Sequence, residues 1–383
     1  MKYNFDEITQ RRGTGSYKWD SVPSDDVLPL WVADMDFRTA PAVTEALYNR
    51  VSQGIFGYTK VSDDYYQAVI DWFGSRHGLE IRREWIIYTS GVVPALSAII
   101  KALAAPGEKV LVQTPVYNCF FSSIRNNGCI VEECPLVFDG QGYTMDFEGL
   151  ERCCADPAVK LMLLCNPHNP CGRVWTRDEL RLVADICGRH GVRVVSDEIH
   201  CELVYHPHRY VPFATVCPEA ITCVSPSKAF NIAGLQIANI ICADEYSRRL
   251  IDRAININEV CDVNPFGVEA TIAAYRHGAG WLDALNVYLW ENYLALCDFF
   301  DRNLPGLTVC RLEGTYLVWV DCRKTGMKSS DMEEYLMEKA GVWLNSGDMY
   351  GKAGEGFMRI NIACPRERLM EALQRLRILA ELV

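Results

Sequence analysis

Residues 224–236 read VSPSKAFNIAGLQ and hold one lysine, Lys228, among hydroxyls and small or apolar side chains. A desolvated ammonium costs free energy unless something compensates, and an amine whose pKa is lowered by burial becomes a nucleophile. Three other short segments carry complementary groups. SDEIH (196–200) ends an apolar run on Asp197, a carboxylate that needs a cation or several donors once buried. NPHNPCG (166–172) holds Asn169 in a loop stiffened by two prolines and a glycine. Ser90-Gly91-Val92 opens an apolar helical run, and the N–H groups and dipole of a helix start suit a phosphate. Taken singly, each has an ordinary reading. Ser90-Gly91-Val92 and Asp197 could cap helices, the Asn169 loop could be a plain turn, and Lys228 could be a surface lysine.

These segments must be held by strands and helices, and the pattern supplies them. Apolar runs at Trp85–Thr89, Lys109–Gln113, Cys129–Leu136, Lys160–Cys165, Val192–Ser196, Ile221–Val224 and Ile237–Cys242 read as strands, with helices predicted at Val92–Ala104 and Thr176–His190. Near-continuous apolar strands separated by helices predict an α/β fold, with a mostly parallel sheet sandwiched by helices. After about Gly280 the pattern changes. A long helix (Trp281–Asn303), paired strands Leu307–Leu312 and Tyr316–Val320, a helix Ser330–Ala340, strands Val342–Leu344 and Phe357–Ile362, and an amphipathic helix from Pro365 predict a smaller α+β domain. The expected division is 47–279 for the large domain, with 1–46 and 280–383 forming the small one. Open α/β sheets place ligands beyond the carboxyl ends of their strands, where all four segments fall.

A phosphate cradle, a carboxylate, an aimed amide and a desolvated lysine at one sheet edge together fit pyridoxal 5′-phosphate. Lys228 would form a Schiff base with its aldehyde, Asp197 would keep its ring nitrogen protonated, and Ser225 and Ser227 would reach its phosphate. No metal is implied.

The strings SPSKAFNIAG (225–234), NPHNPCG and SDEIH resemble the class I/II aminotransferase superfamily of fold type I enzymes, over nearly the whole chain. LWVADMDF (30–37) and EGTYLVWVD (313–321) resemble its cystathionine β-lyase branch, which includes a maltose-regulon modulator. On its own, LWVADMDF reads as an apolar strand with two partly exposed aspartates. The resemblance implies further roles: Gly91 and Val92 at the phosphate, Tyr117 stacked on the ring, and Asn169 and His200 near the phenolic oxygen. It makes Arg359 the holder of the substrate α-carboxylate, with Asn169 beside it. Tyr58 would reach the phosphate of a neighbouring subunit, which implies a homodimer with shared sites. Alternation along 357–362 puts Arg359 and Asn361 on one face. Gln236 stands where many class I aminotransferases carry an arginine against the phosphate.

The implied activity is elimination from an amino-acid thioether, L-cystathionine or a related cysteine S-conjugate, to a thiol, pyruvate and ammonia. Transamination of neutral or aromatic amino acids is the alternative, and a protein-binding regulatory role a further one. Composition sets bounds. The 383 residues are 49% hydrophobic and carry a net charge of −11, which argues against a nucleic-acid surface. No stretch reads as a membrane span or signal peptide, and seventeen scattered cysteines suit a reducing cytoplasm.

Overall fold

The computed structural model describes residues 3–257 and 262–382. Its centre is a seven-stranded sheet formed by β1 (Ile86–Thr89), β2 (Lys109–Val112), β3 (Ile130–Glu133), β4 (Val159–Cys165), β5 (Arg193–Asp197), β6 (Ile221–Val224) and β7 (Ala238–Cys242). The spatial order is β1-β7-β6-β5-β4-β2-β3. Strands β4 to β7 are buried almost throughout, as strands covered on both faces must be. The outer strand β3 carries Glu132 and Glu133 and is largely uncovered, a composition that discourages pairing with another chain.

Six of the seven strands run in one direction, and β7 alone is reversed, antiparallel to both β6 and β1. An apolar run does not record its own direction, so the expected strand at Ile237–Cys242 left this open. Register matters at the carboxyl edge: Cys165 of β4 lies opposite Asp197 of β5, which lies opposite Cys223 of β6.

A second sheet has the order β8-β9-β11-β10, from β8 (Thr308–Val309), β9 (Leu317–Asp321), β10 (Asn345–Ser346) and β11 (Phe357–Asn361), all antiparallel. The expected strand at Val342–Leu344 does not join it. Val342–Trp343 pairs instead with Leu28–Pro29, in parallel. The expected helix Ser330–Ala340 divides into an α-helix, Ser329–Tyr335, and a wider π turn, Leu336–Ala340, that ends on Gly341. Among the described residues no helix is long and apolar enough to cross a membrane. The sixteen described cysteines are all free; Cys261 lies outside the described residues.

LWVADMDF departs most from its expectation. Only Leu28–Pro29 just before it is strand, and residues 31–34 run as an irregular strap. Asp36 is not partly exposed but 1% exposed. The reason is a cation cluster: Lys18 lies 3.2 Å, Arg11 3.0 Å and Arg368 3.5 Å from its carboxylate, and the Trp19 indole N–H donates at 2.8 Å. Burial pushes its pKa up, but Lys18, the indole and the two arginines outweigh this and hold it below the usual value. Asp36→Asn should therefore destabilise the chain by about 3 kcal/mol, because Lys18 is fully buried and would lose its nearest counterion. Urea denaturation of the full chain checks this, and a loss under about 1 kcal/mol would contradict it. The carboxylate's pKa is lowered in the fold, so its contribution is present above the unfolded pKa and fades as pH falls through the folded one.

Candidate active site

The carboxyl edge of the main sheet opens into a cavity of about 190 Å³. Its lining includes Gly91, Val92, Tyr117, Asn169, Asp197, His200, Ser227 and Lys228. Arg359 joins them from the second sheet through Asn169. A larger cavity of about 710 Å³ shares Ser90, Pro94 and Gln236 with it but none of the titratable groups named above.

Lys228 sits in the turn that leaves β6. That turn is closed by Phe230 N–H to the Pro226 carbonyl and Ile232 N–H to the Ser227 carbonyl. The Lys228 amine donates to the Ala33 carbonyl at 2.7 Å. Burial, and next Arg359, pull its pKa down to about 8 against the opposing charges of Asp34 and Asp197. Asp197 ends β5, and among the described residues its carboxylate accepts one hydrogen bond, from the Ile199 N–H at 3.1 Å. Burial raises its pKa to about 7, with Glu198 adding to the rise. The two groups thus have proton affinities drawn together from opposite directions, toward neutral pH.

Asn169 is aimed by its loop. The Cys165 sulfur accepts its N–H at 3.4 Å, and its side-chain oxygen accepts from Arg359 at 3.1 Å. Gly172 closes the loop at φ +68°, and a Cβ there would lie 2.6 Å from Leu312. Its carbonyl receives the N–H groups of Glu313 and Gly314, which locks NPHNPCG against the start of EGTYLVWVD. Arg359 and Asn361 do share a face of β11, and both reach the strap: Arg359 donates to the Trp31 carbonyl at 2.8 Å, Asn361 to the Val32 and Asp34 carbonyls at 2.6 Å.

Arg359 is 3% exposed, and its guanidinium has only neutral acceptors among the described residues, with Nε unpartnered. A buried cation in that state lacks an anion. His200 is kept neutral, first by burial and then by the charges of Lys228 and Arg359. Among the described residues its Nδ1 has no hydrogen-bond partner. Tyr117 stays protonated because burial, followed by Cys119 and Asp197, raises its pKa far above the ordinary value. The helix Val92–Leu103 has no side-chain cap and no acidic residue in its first turn. Helices beginning after Asp146, Thr176, Asp244 and Asn264 are all capped by those side chains.

Besides Arg359, which reaches the cavity lining only through Asn169, two expected residues are not brought to the cavity by this chain. Ser225 turns its hydroxyl onto the Ile237 carbonyl at 2.7 Å and accepts the Ser227 N–H at 3.1 Å, so it braces the turn. Tyr58 is 99% exposed and lines neither cavity. Conversely, sequence reasoning assigned nothing to Ala33, Cys165, Ile199 or Ile237, which all line the cavity, nor to Tyr316, whose hydroxyl donates to Ala33 at 2.9 Å. Ala33 and Tyr316 stand inside LWVADMDF and EGTYLVWVD, so the strings were visible but not the roles. Among the described residues, His77, Cys201 and Glu202 form one group with metal-ligand donors. Glu202 is already bound by Trp72, His77 and Arg76, which accounts for the cluster without an ion.

The chain is 41% identical to cystathionine beta-lyase PatB of Bacillus subtilis over 382 residues, covering 98% of this chain and 99% of that one. It superimposes on cystalysin from Treponema denticola, whose structure contains a pyridoxal 5′-phosphate cofactor, with a TM-score of 0.96, 35% identity and coverage of 100% and 99%. The PLP-bound C-S lyase from Staphylococcus hominis matches with a TM-score of 0.93, 35% identity and 98% coverage of both chains. The family profile described as aminotransferase class I and II matches residues 25–376, a span that contains the whole cavity, and the chain belongs to that family.

Proposed function

We propose that this protein is a pyridoxal-phosphate-dependent carbon–sulfur β-lyase that cleaves L-cystathionine or a related cysteine S-conjugate to a thiol, pyruvate and ammonia. For cystathionine the thiol is homocysteine. The observation that carries the reading is the pair Lys228 and Asp197, facing one cavity with proton affinities moved toward neutrality. The relatives named as lyases support the branch.

The residues fit the cofactor. An uncapped helix start at Gly91 and Val92, with Ser227 beside it, suits the phosphate. Ser225 acts by bracing that turn. Asp197 would offer its second oxygen to the ring nitrogen, Tyr117 would offer its ring as a stacking face, and Asn169 and neutral His200 would serve the phenolic oxygen. When bound, pyridoxal phosphate supplies a sink for the electron pair left at the substrate Cα. Arg359 supplies the missing half of an ion pair for the substrate α-carboxylate, and its fork suits bidentate binding. The Lys228 amine, once free, takes the Cα proton. Ile199, Ile237 and Val92 give the cavity apolar walls beside these charges. The sulfur then leaves Cβ with the bonding electrons as a thiolate, and the aminoacrylate that remains is hydrolysed by one water to pyruvate and ammonia.

The division at 47–279, with 1–46 and 280–383 as the small domain, is part of this proposal and is supported by the pairing of Leu28–Pro29 with Val342–Trp343. Free cysteines support a cytoplasmic setting. A second copy of the chain would cover Tyr58 and bring its hydroxyl to the neighbouring phosphate. Tyr58→Phe should then weaken cofactor retention by about 1 kcal/mol. Sedimentation showing a monomer that retains the cofactor and full activity would remove the shared-site assignment.

Product analysis tests the main reading. Purified protein given L-cystathionine should release homocysteine and pyruvate in equal amounts with no keto acid added. Turnover that requires a keto acid and conserves the amino group would identify an aminotransferase instead.

A further inference from the structure

We propose that Tyr316 is a positioning residue for Lys228: its hydroxyl and the lysine amine share the Ala33 carbonyl, and this sharing sets how firmly that carbonyl holds the amine while it is free. The proposal rests on the site reading above. A carbonyl oxygen has two lone pairs, and here both are in use, by Lys228 at 2.7 Å and Tyr316 at 2.9 Å.

The acceptor is fixed independently of both donors. The carbonyls on either side of it, Val32 and Asp34, are held by the single Asn361 amide nitrogen. Farther out, Trp31 is held by Arg359 and Asn345, and Met35 by Arg11 and Asn231. A strap without a ladder partner has had its carbonyls taken by side chains, so Ala33 stays in place when one donor is lost. Tyr316 is fully buried, and its hydroxyl has no other hydrogen bond among the described residues.

An ammonium donates more strongly than a neutral amine, so a carbonyl left to Lys228 alone favours the protonated form. The other charged or titratable groups that face Lys228 are Arg359 from β11, Asp34 from the strap, Asp197 from β5, Cys119 from the helix Asn118–Asn126 and the neutral His200. Tyr316→Phe alters none of them and keeps the ring that packs edge-on against His200.

The test strips the full-length protein of cofactor and follows its yellow colour as it captures added pyridoxal phosphate, across pH. Tyr316→Phe should move the midpoint of the capture rate upward by about half a pH unit, with the high-pH plateau retained. Asn361→Ser, which frees the strap, should move the midpoint downward. A Tyr316→Phe midpoint that matches wild type or falls would overturn the proposal, even if the Asn361 variant does not fold. Failure of the wild-type chain to capture the cofactor at any pH would instead overturn the site reading.

Discussion

Lys228→Ala is expected to abolish both covalent retention of the cofactor and turnover. Among the described residues the cavity has no second lysine, so none of them replaces the amine as attachment point or as base for the Cα proton. General-base removal alone is worth up to about 10⁴-fold, and loss of attachment adds to it. A fall of more than about a thousandfold is therefore expected. The fold should survive, because the substitution removes a charge that is costly to bury rather than one half of an ion pair. The stripped protein provides a separate check. With its pKa lowered to about 8 in the fold, Lys228 binds fewer protons folded than unfolded between that pH and its ordinary value. Stability of the stripped wild type should rise with pH across that window, and the rise should be smaller in the alanine variant. A variant within tenfold of wild-type turnover would mean that Lys228 is not the attachment lysine.

Asp197→Asn should keep the cofactor and lose most turnover. An amide cannot hold the ring nitrogen protonated, so the electron sink weakens in the transition state. Preorganised electrostatic groups of this kind are worth roughly 3 kcal/mol or more, a loss of about a hundredfold or beyond. The stripped chain again separates the role from a structural one. In the empty cavity burial raises the carboxyl to about 7. Between its ordinary pKa and that value the folded chain holds a proton that the unfolded chain has released. Stability therefore declines as pH rises through this interval, and Asp197→Asn should flatten the decline. Turnover within a few-fold of wild type would make Asp197 a residue that braces its turn through Ile199 and no more.

The parts of this site legible in the sequence are those with a side-chain signature at a strand end. Buried strands such as β4 and β6 announce themselves as β-branched and apolar runs, so the residues after them could be grouped, and Lys228, Asp197, Asn169 and His200 do line one cavity. The rest was illegible for definite reasons. The Ala33 carbonyl is a backbone atom, and no residue type marks it. Asp36 looked exposed because its partners Arg11, Lys18 and Arg368 are dispersed over the chain. Ser225 and Ser227 are chemically alike, and only the fold turns one toward Ile237 and leaves the other in the cavity. The role proposed for Tyr58 would need a second copy of the chain, and within one chain Tyr58 is simply exposed.

The reversed direction of β7 has a consequence for how the lysine is tethered. A parallel strand after β6 would send the chain back across the sheet by a crossover of a dozen or more residues, commonly a helix. Because β7 runs the other way, the chain leaves β6 and re-enters the sheet at the same edge. Val224 lies opposite Asn239, and Ser225 is bonded to Ile237. The segment carrying Lys228 is thus a leash knotted at both ends to the ligand side. Its amine can swing only within the radius of its own side chain. An insertion in this leash would displace the amine directly, with no distant slack to absorb it, whereas the connection between β4 and β5, which winds through Arg177–Arg189, could lengthen on its far side without moving Asp197.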